Sequence, residues 1–527
     1  MATQWPRPAA ALLALVVGGL SIAQTQPAPP AGSRLAVVAS DLHMGPGRDA
    51  GTGEWQAVED FRWGADFAAF LAAVDEAGQG ATDLILNGDT FELGGSVSDA
   101  CRYASPRLGC TEPEALARLD RVLEAHATEM ANLGAFARRG DNRVVLVPGD
   151  RDAALLWPAV ARRAVDAIDA PGRAAVAATG YWTSPDGAVF VEHGHQAPGD
   201  PYRLAAWPAP FVTSGGQAHL ERSWGQQLVE PLYDANESRY PVLDNFAQDG
   251  AGLKLLVAAH PDVLAATDVA ALARFFLVRP VWQQFRLDLD GGQVQPPRWD
   301  VADIRSMGDA FIEASFLPDD PLRSAIERAR QSGLALGVED YTDDELVAIC
   351  DSRAAIRRAR RRLERSLTQL GRMGPPGPEC ARTPESRGSA FEYFWRSRDS
   401  RFATHIAQLP LARAPRVLVR GHTHLAAAPV AMGRATTAPV LVNAGAWQRT
   451  LTPFQADEVM TDRGWSEAEL LSRLQPTDLA GCYGVVWIEP YAGDPEPALR
   501  FWRADGGWGR LPRDAAGIET ACGGRGP

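Results

Sequence analysis

Five short hydrophobic segments of the chain are each followed closely by aspartate or histidine. The segments are rich in aliphatic and β-branched residues, as is typical of strands buried on both faces of a sheet. Because open α/β sheets bind ligands at the carboxyl ends of their strands, we expect the five polar motifs to form one site. The segments are Leu35 to Ala39, Leu84 to Leu86, Val144 to Val147, Val189 to Glu192 and Val417 to Val419, and the motifs are Asp41-Leu42-His43, Gly88-Asp89, Gly149-Asp150-Arg151-Asp152, His193-Gly194-His195 and Gly421-His422-Thr423-His424.

The sequence between the motifs predicts how the strands are connected. Hydrophobic spacing typical of helices runs from Ala57 to Ala77, from Glu112 to Arg139 and from Asp152 to Ala167. A helix that connects two consecutive strands makes those strands parallel, so the sequence predicts an α/β protein. Further strands are predicted at Val440 to Asn443, Tyr483 to Ile488 and Leu499 to Trp502.

A long stretch without such motifs separates His195 from the strand before His422. Its hydrophobic spacing is mostly helical, so we expect a helical insertion that divides the α/β core into two parts. The predicted divisions are residues 33–200 for the first part of the core, 201–415 for the insertion and 416–527 for the second part. The helical patterns in the insertion include Leu253 to Ala259, Val269 to Val278 and Arg353 to Leu370.

The amino terminus has the pattern of a secretory signal peptide. Arg7 precedes an apolar stretch from Ala9 to Leu20, and small residues follow at the positions that a signal peptidase reads. We expect a signal peptide over residues 1–23, cleavage after Ala23, and a disordered linker over 24–32. The alternative is an uncleaved anchor. Either a periplasmic or a secreted location is predicted.

The six cysteines agree with export, because an oxidising compartment allows disulfides to form. Neighbours along the chain suggest three pairs, and the loop that contains Pro106 and Gly109 favours the first of them. Six buried, reduced thiols are the alternative. The pairs are Cys101 with Cys110, Cys350 with Cys380, and Cys482 with Cys522.

Charge bears on the possible partners. The net charge of −13 argues against nonspecific binding to nucleic acid, so no nucleic-acid partner is expected. Arginines crowd one side of a predicted amphipathic helix from Arg353 to Arg372, and such a helix could contact an anionic membrane peripherally. The alternative is a solvated helix that packs on the insertion and pairs with nearby acids such as Glu364.

The five motifs contain the side chains that bind divalent metal ions. A pair of ions about 3.5 to 4 Å apart needs one carboxylate that bridges them, and Asp89 is the natural bridge. Asp41 and His43 can reach one ion together, whereas His422 and His424 can serve one ion each. Solvent between two such ions becomes hydroxide near neutral pH. Mixed oxygen and nitrogen ligands suit manganese, iron or zinc.

In order and placement the five motifs resemble those of the calcineurin-like metallophosphoesterase superfamily. The resemblance covers roughly residues 34–447 and implies a four-layer α/β/β/α sandwich, here with a large helical insertion. It also implies two metal sites that share Asp89. One site would be formed by Asp41, His43, Asp89 and His424, and the other by Asp89, Asp150, His193 and His422.

Two residues depart from the family pattern. Asp150 stands where the family usually has an asparagine ligand, and Arg151 stands where most members have a histidine that protonates the leaving group. Arginine cannot deliver a proton at neutral pH, but it can stabilise phosphoryl charge. This arginine, together with the Ser40 to His43 sequence, is locally similar to the UDP-2,3-diacylglucosamine pyrophosphatase branch. Because Arg151 cannot protonate a leaving group, it favours a phosphoanhydride or an activated diester as substrate.

Several neighbouring residues have more than one interpretation. His195 could bind phosphate or the second metal, or donate to a carboxylate near the ligands. Glu92 could orient a ligand imidazole or cap the turn that follows it. Asp152 could brace Arg151 or cap the next helix. The turn from Asn443 to Trp447 is expected to support the loop that contains His422.

The motifs favour an exported, metal-dependent phosphoesterase with a small-molecule or lipid-linked phosphoester substrate. A metal-bridging hydroxide would attack a phosphodiester or phosphoanhydride, and Arg151 would stabilise the phosphoryl charge. Two alternatives remain open. One is a periplasmic nucleotide or monoester phosphatase, and the other is a non-catalytic protein that binds metal or phosphate and uses the insertion as an interaction surface.

Overall fold

The computed structural model of the protein describes residues 34–94, 108–198, 200, 202–223, 225–226, 236–246, 252, 255–256, 259, 402–432, 437–451, 453–491 and 493–509. Several predictions lie outside these residues and stay predictions. They concern the signal peptide and linker, the helix from Arg353 to Arg372, most of the insertion, and four cysteines (Cys101, Cys350, Cys380 and Cys522). Each of the two described cysteines, Cys110 and Cys482, is disulfide-bonded, and its partner lies outside the described residues.

The described chain forms fourteen strands in two main sheets and one hairpin. In chain order they are β1 (Leu35–Ala39), β2 (Thr82–Asn87), β3 (Arg143–Val147), β4 (Ala174–Val176), β5 (Tyr181–Thr183), β6 (Val189–Glu192), β7 (Phe211–Ser214), β8 (Gln217–Leu220), β9 (Val417–Arg420), β10 (Ala427–Ala431), β11 (Val440–Asn443), β12 (Cys482–Ile488), β13 (Pro497–Arg503) and β14 (Gly507–Gly509). All eight strands that the sequence predicts are present, so the α/β prediction is confirmed.

The larger sheet has seven strands in the order β14-β13-β12-β1-β2-β3-β4, and the smaller has five in the order β10-β11-β9-β6-β5. Strands β1 to β4 are parallel, with Val38 beside Ile85 and Ile85 beside Val145. Strands β6, β9 and β11 are also parallel. Both sheets therefore present the carboxyl ends of several strands at one edge, where the polar motifs begin.

Six α-helices have both ends within the described residues: α1 (Gly64–Gly78), α2 (Glu112–Ala125), α3 (Ala127–Ala137), α4 (Pro158–Ile168), α5 (Pro453–Arg463) and α6 (Glu467–Arg473). Residues 402–408 are also helical. Helix α2 begins at a capping box in which Thr111 and Glu114 bond each other's backbone amides. Proline at the start of α4 fits a position where no amide donor is required. A short 3₁₀ helix, Ala153–Leu156, precedes α4.

Three helix boundaries differ from the sequence prediction. The helix predicted from Ala57 begins only at Gly64, because the Glu59 carboxylate accepts backbone hydrogen bonds from Gly45, Gly47 and Phe61 and holds its segment as a loop. The helix predicted from Glu112 to Arg139 is broken at His126. The stretch from Asp152 changes from a 3₁₀ turn to α4 at Trp157.

Part of the region predicted as a helical insertion is a β-hairpin instead. Strands β7 and β8 pair through a two-residue turn at Gly215 and Gly216, whose φ values of 58° and 83° suit a tight hairpin turn. Phe211 stacks on Trp157 with ring centroids 3.9 Å apart, which attaches the hairpin to the core. Residues 211–220 are therefore strand within a stretch that the sequence predicts to be mostly helical.

Alternate side chains of the central strands enter two different hydrophobic clusters. Val37 of β1 packs in a cluster with Phe70 of α1 and Leu133 of α3. Val38 packs in a second cluster with Val191 of β6 and Val419 of β9, so this cluster joins the two sheets. Burial on both faces explains why these strands are continuous hydrophobic runs. Among the described helices, none is long and apolar enough to cross a membrane.

Candidate metal centre

Loops that follow five strands bring the predicted ligand residues together in two adjacent groups. What we call the first group contains Asp41, His43 and His424, and the second group contains Asp89, Asp150, His193 and His422. Within each group, one potential ligand atom per residue lies within 4.8 Å of the others. The seven residues follow β1, β2, β3, β6 and β9, so the structure places every one of them at a strand end, as expected.

Asp89 lies between the two groups. Its Oδ2 atom is 3.0 Å from His193 Nε2 in the second group and 3.9 Å from His43 Nε2 in the first. Its Oδ1 atom accepts a hydrogen bond of 2.8 Å from the Arg151 backbone amide. One carboxylate oxygen thus faces ligands of both groups, while the other fixes the orientation of the side chain.

Asp41 is fixed in a similar way. Its Oδ2 atom accepts a 3.0 Å hydrogen bond from the His422 amide, and its Oδ1 atom lies 3.4 Å from His424 Nε2. In the second group, Asp150 Oδ1 lies 3.3 Å from His193 Nε2 and 3.2 Å from His422 Nδ1. Each carboxylate therefore directs at least one oxygen towards the imidazoles of the centre.

The backbone at the centre adopts a conformation that few side chains tolerate. Positive φ values for residues other than glycine cost of order 1 kcal/mol or more and persist where the surroundings enforce them. The described chain has seven such residues, and two of them, Gln79 and Asp169, simply end helices. The other five all belong to the two groups: Asp41 (56°), His43 (50°), Asp89 (49°), His422 (67°) and His424 (54°).

Three motif glycines are required because other atoms approach their backbone closely. A Cβ atom at Gly88 would lie 2.3 Å from the His193 ring, and one at Gly149 would lie 2.2 Å from Asp89 Oδ1. At Gly421 the added atom would lie 1.8 Å from the Ser40 hydroxyl. The glycines thus allow the loops to pack tightly around the ligand side chains.

Three of the four imidazoles are oriented by a hydrogen bond through the ring nitrogen that faces away from the centre. His43 Nδ1 lies 2.9 Å from Glu92 Oε2, and His193 Nδ1 donates to the Asn87 carbonyl at 2.9 Å. His422 Nε2 lies 3.1 Å from Asp200 Oδ1. Such contacts fix the tautomer and the ring plane of metal-binding histidines.

Glu92 and Arg151 lie beside the first group. Besides contacting His43, Glu92 places its other oxygen, Oε1, 3.4 Å from Arg151 Nη1. Of the two interpretations of Glu92, the structure therefore supports the one in which it orients a ligand imidazole. Burial opposes ionisation of Glu92, but the Arg151 charge and the His43 hydrogen bond lower its pKa below the ordinary value.

Asp152 holds the loops rather than capping the helix. Its side chain makes no capping hydrogen bond, so that prediction was wrong. Its carboxylate instead accepts hydrogen bonds from the backbone amides of Asp89, Thr90, Phe91 and Gly149. The side chain ties the loop after β2 to the loop after β3, and so sets the position of Asp89 relative to Asp150.

His195 is adjacent to the second group but does not belong to it. The residue is fully buried, and its ring packs edge-on against Trp207 with centroids 4.5 Å apart. Burial lowers its pKa well below the ordinary value, which keeps the imidazole neutral. The interpretation of His195 as a ligand of the second metal thus receives no support from the geometry.

The electrostatics of the centre favour cations. The described residues include several buried polar atoms without a hydrogen-bond partner, and four of them face the centre: Asp41 Oδ1, His43 Nε2, Asp150 Oδ1 and His193 Nε2. Burial disfavours the imidazolium form, yet the Glu92 hydrogen bond and nearby carboxylates raise the pKa of His43 to about 9. Three buried carboxylates thus attract positive charge, and two divalent ions would supply it while satisfying the four atoms. The residues present fit such ions.

Two residues that contact the centre were not predicted from the sequence. Asp200 contacts the His422 ring, and Gln226 Nε2 donates to the Asp150 carbonyl at 2.8 Å. Neither residue follows a predicted strand or belongs to a motif. The support expected from Asn443 is observed, because its side-chain amide donates to the Thr423 hydroxyl at 2.8 Å.

No protein family model matches this chain, and no curated protein matches it in sequence. A function must therefore be inferred from the geometry of the two groups and from the motifs that form them.

Proposed function

We propose that the protein is an exported, dinuclear metal-dependent phosphoesterase of the calcineurin-like superfamily. The observation that carries the proposal is that one oxygen of Asp89 faces ligand atoms of both groups. A shared carboxylate of this kind is the feature that a two-metal hydrolase needs. Disulfides at Cys110 and Cys482 support the export part of the proposal, since disulfides persist in oxidising compartments.

The arrangement of the core supports a four-layer α/β/β/α sandwich. Helices α1 to α4 contribute to the cluster on one face of the larger sheet, and a separate cluster joins the two sheets. A third cluster, on the outer face of the smaller sheet, includes Phe190, Leu418 and the helical residues Phe402 and Ile406. We propose that the region between His195 and β9 is an insertion in this sandwich, with the β7–β8 hairpin near its start.

In the proposed enzyme, Asp41, His43, Asp89 and His424 would hold one ion. The second ion would be held by Asp89, Asp150, His193 and His422. When bound, the two ions supply Lewis acidity and lower the pKa of coordinated water to near neutrality. Three ligand carboxylates would offset three of the four positive charges of two divalent ions, and a coordinated hydroxide would offset the fourth. Asp89 would be shared by the two ions, and the oriented imidazoles would present neutral ligand nitrogens to them.

Arg151 would contact the phosphoryl group. Its backbone amide fixes Asp89, while Glu92 holds its guanidinium beside the first group, with the side chain 17% exposed. A guanidinium at this position stabilises charge that develops on phosphoryl oxygens, and it retains its proton throughout. The residue therefore favours substrates whose leaving group departs as a stable anion. We propose a phosphoanhydride or an activated phosphodiester.

The test compares three substrates with the mature, disulfide-bonded chain after reconstitution with Mn²⁺. These are an aryl phosphodiester, a nucleoside diphosphate ester and an alkyl phosphate monoester. We expect turnover of the first two and at least about 100-fold less of the third, since proton donation is worth about that factor. Asp89→Asn should abolish turnover. Asp186→Asn is the matched control, because Asp186 lies in the turn between β5 and β6 and accepts the Ala188 amide.

Other outcomes would redirect the proposal. A preference for alkyl or nucleotide monoesters would contradict the role of Arg151 and favour the periplasmic phosphatase. Two bound metals without turnover of any substrate would favour the non-catalytic binding protein. If the chain bound no metal under these conditions, the proposal would be wrong as a whole.

A further inference from the structure

The side chain of Asp200 contacts one ligand of the second group in a distinctive way. His43 and His193 both direct Nε2 towards the centre, whereas His422 directs Nδ1 towards Asp150. An imidazole that binds through Nδ1 is rotated relative to one that binds through Nε2, and its Nε2 atom faces away from the centre. Asp200 Oδ1 lies 3.1 Å from that outward nitrogen. The carboxylate therefore accepts a hydrogen bond from the nitrogen that faces away from the centre, which favours this orientation of the ring.

Asp200 is itself held in place. The residue is 5% exposed, and its Oδ1 atom accepts a hydrogen bond from the Tyr202 amide at 3.0 Å. Its own amide donates to the Ala197 carbonyl. The Tyr202 ring packs edge-on against the His422 ring, with centroids 5.3 Å apart. The segment thus restrains the imidazole from two sides.

A second residue that follows Asp200 in sequence, Gln226, contacts another ligand of the second group, Asp150. Gln226 Nε2 donates to the Asp150 carbonyl, while its Oε1 atom accepts from the Ser223 amide at 2.9 Å. Arg222 Nη2 donates to the Gln226 carbonyl at 2.8 Å. All three residues are buried. Asp200, Tyr202 and Gln226 therefore contact two ligands of the second group, although they lie in sequence beyond the first four motifs.

We propose that Asp200 is a positioning residue for the second metal group. Its carboxylate fixes the His422 ring so that Nδ1, unprotonated, is presented to the ion while Nε2 carries the proton. The inference rests on the proposed function only in assuming that the second group binds a metal ion. Carboxylates that orient metal-binding imidazoles in this way contribute about 10- to 100-fold to metal affinity.

The experiment measures Mn²⁺ binding to the full mature chain by titration calorimetry and by electron paramagnetic resonance. In the wild type we expect two Mn²⁺ per chain and the signal of a spin-coupled pair. In Asp200→Ala, one Mn²⁺ should bind about 10- to 100-fold more weakly. When less than two equivalents of Mn²⁺ are added to this variant, the resonance spectrum should be that of an isolated ion instead of a spin-coupled pair. Asp200→Asn keeps an oxygen acceptor for Nε2 and should restore most of the affinity.

Three controls separate positioning from a general structural role. In a His422→Ala background, Asp200→Ala should cause no further loss of Mn²⁺ affinity, because the coupled partner is already gone. In a His43→Ala background it should still weaken the remaining site. Asp186→Ala removes a structural aspartate elsewhere and should leave both Mn²⁺ affinities unchanged even if it lowers the melting temperature.

The outcomes are distinct from those that test the phosphoesterase proposal. Unchanged Mn²⁺ binding in Asp200→Ala, or equal weakening of both sites, would overturn the positioning role. The positioning role would also be overturned if Asp200→Ala weakened Mn²⁺ binding in the His422→Ala background as much as it does in the wild type. Two bound Mn²⁺ without hydrolysis of any phosphoester would refute the proposed enzyme, yet the effect of Asp200→Ala on Mn²⁺ affinity would still support the inference.

Discussion

The buried contact between His126 and two glutamates predicts a specific dependence of stability on pH. His126, 3% exposed, lies at the break between α2 and α3. Its Nε2 atom is 3.1 Å from Glu59 Oε2, and its Nδ1 atom is 3.6 Å from Glu129 Oε2. Burial disfavours the imidazolium, but the two glutamates outweigh it and raise the pKa of His126 from 6.5 to about 9.

The sign of the effect follows from this direction. A group whose pKa is higher in the folded state contributes stability that is complete below its unfolded pKa and is lost as the pH rises through its folded pKa. For His126 the window runs from about pH 6.5 to about pH 9. At 1.36 kcal/mol for each pKa unit, the loss amounts to about 3 kcal/mol at most.

Urea unfolding at pH 6 and pH 9.5 measures this loss. A chelator is included so that metal binding does not contribute. We expect the free energy of unfolding to fall by up to about 3 kcal/mol more in the wild type than in His126→Gln. His219→Gln is the matched control, since the His219 ring contacts the Gly109 carbonyl instead of a carboxylate pair. Equal pH dependence of the wild type and His126→Gln would refute the reasoning.

Three further predictions concern the metal centre and the hairpin. Glu92→Ala should weaken one Mn²⁺ by about 10- to 100-fold in calorimetric titration, because the His43 ring loses its hydrogen-bond acceptor; unchanged affinity would contradict this. Gly149→Ala should displace Asp89 and abolish the binding of a Mn²⁺ pair, while the far-ultraviolet circular dichroism spectrum stays native. If the variant still bound two Mn²⁺ as a pair, the loop would have moved to make room for the added methyl group. Phe211→Ala should remove the stack on Trp157 and cost about 1.5 kcal/mol in denaturant unfolding, because Phe211 is only partly buried; a loss below about 0.5 kcal/mol would mean that the hairpin is not fixed by this contact.

The sequence predicts the strands and the polar motifs well because both are local. A strand buried on two faces must be hydrophobic throughout, as in Val37 and Val38, and its pattern is visible in a few residues. The residues that follow such strands meet at the sheet edge whatever the rest of the chain does. Hence the proximity of Asp41, Asp89 and Asp150, which follow the neighbouring strands β1, β2 and β3, could be predicted from their positions alone.

Contacts between distant segments could not be predicted in this way. The hydrophobic spacing continues through His126 and gives no sign of the break there, where the His126 ring contacts the buried Glu59, a residue far away in sequence. Asp200 and Gln226 act through single hydrogen bonds to residues that only the fold brings near. The hairpin was missed because its outer residues, such as Val212, are exposed and give no core pattern.

The ligands of the two groups are divided between the sheets. The three carboxylates, Asp41, Asp89 and Asp150, all follow strands of the larger sheet, whereas three of the four imidazoles follow β6 and β9 of the smaller sheet. Each bound ion would therefore act as a non-covalent cross-link between the sheets, in addition to the hydrophobic cluster they share. Separation of the sheets and release of metal become linked equilibria, so amide hydrogen exchange in β9 should slow as the Mn²⁺ concentration rises.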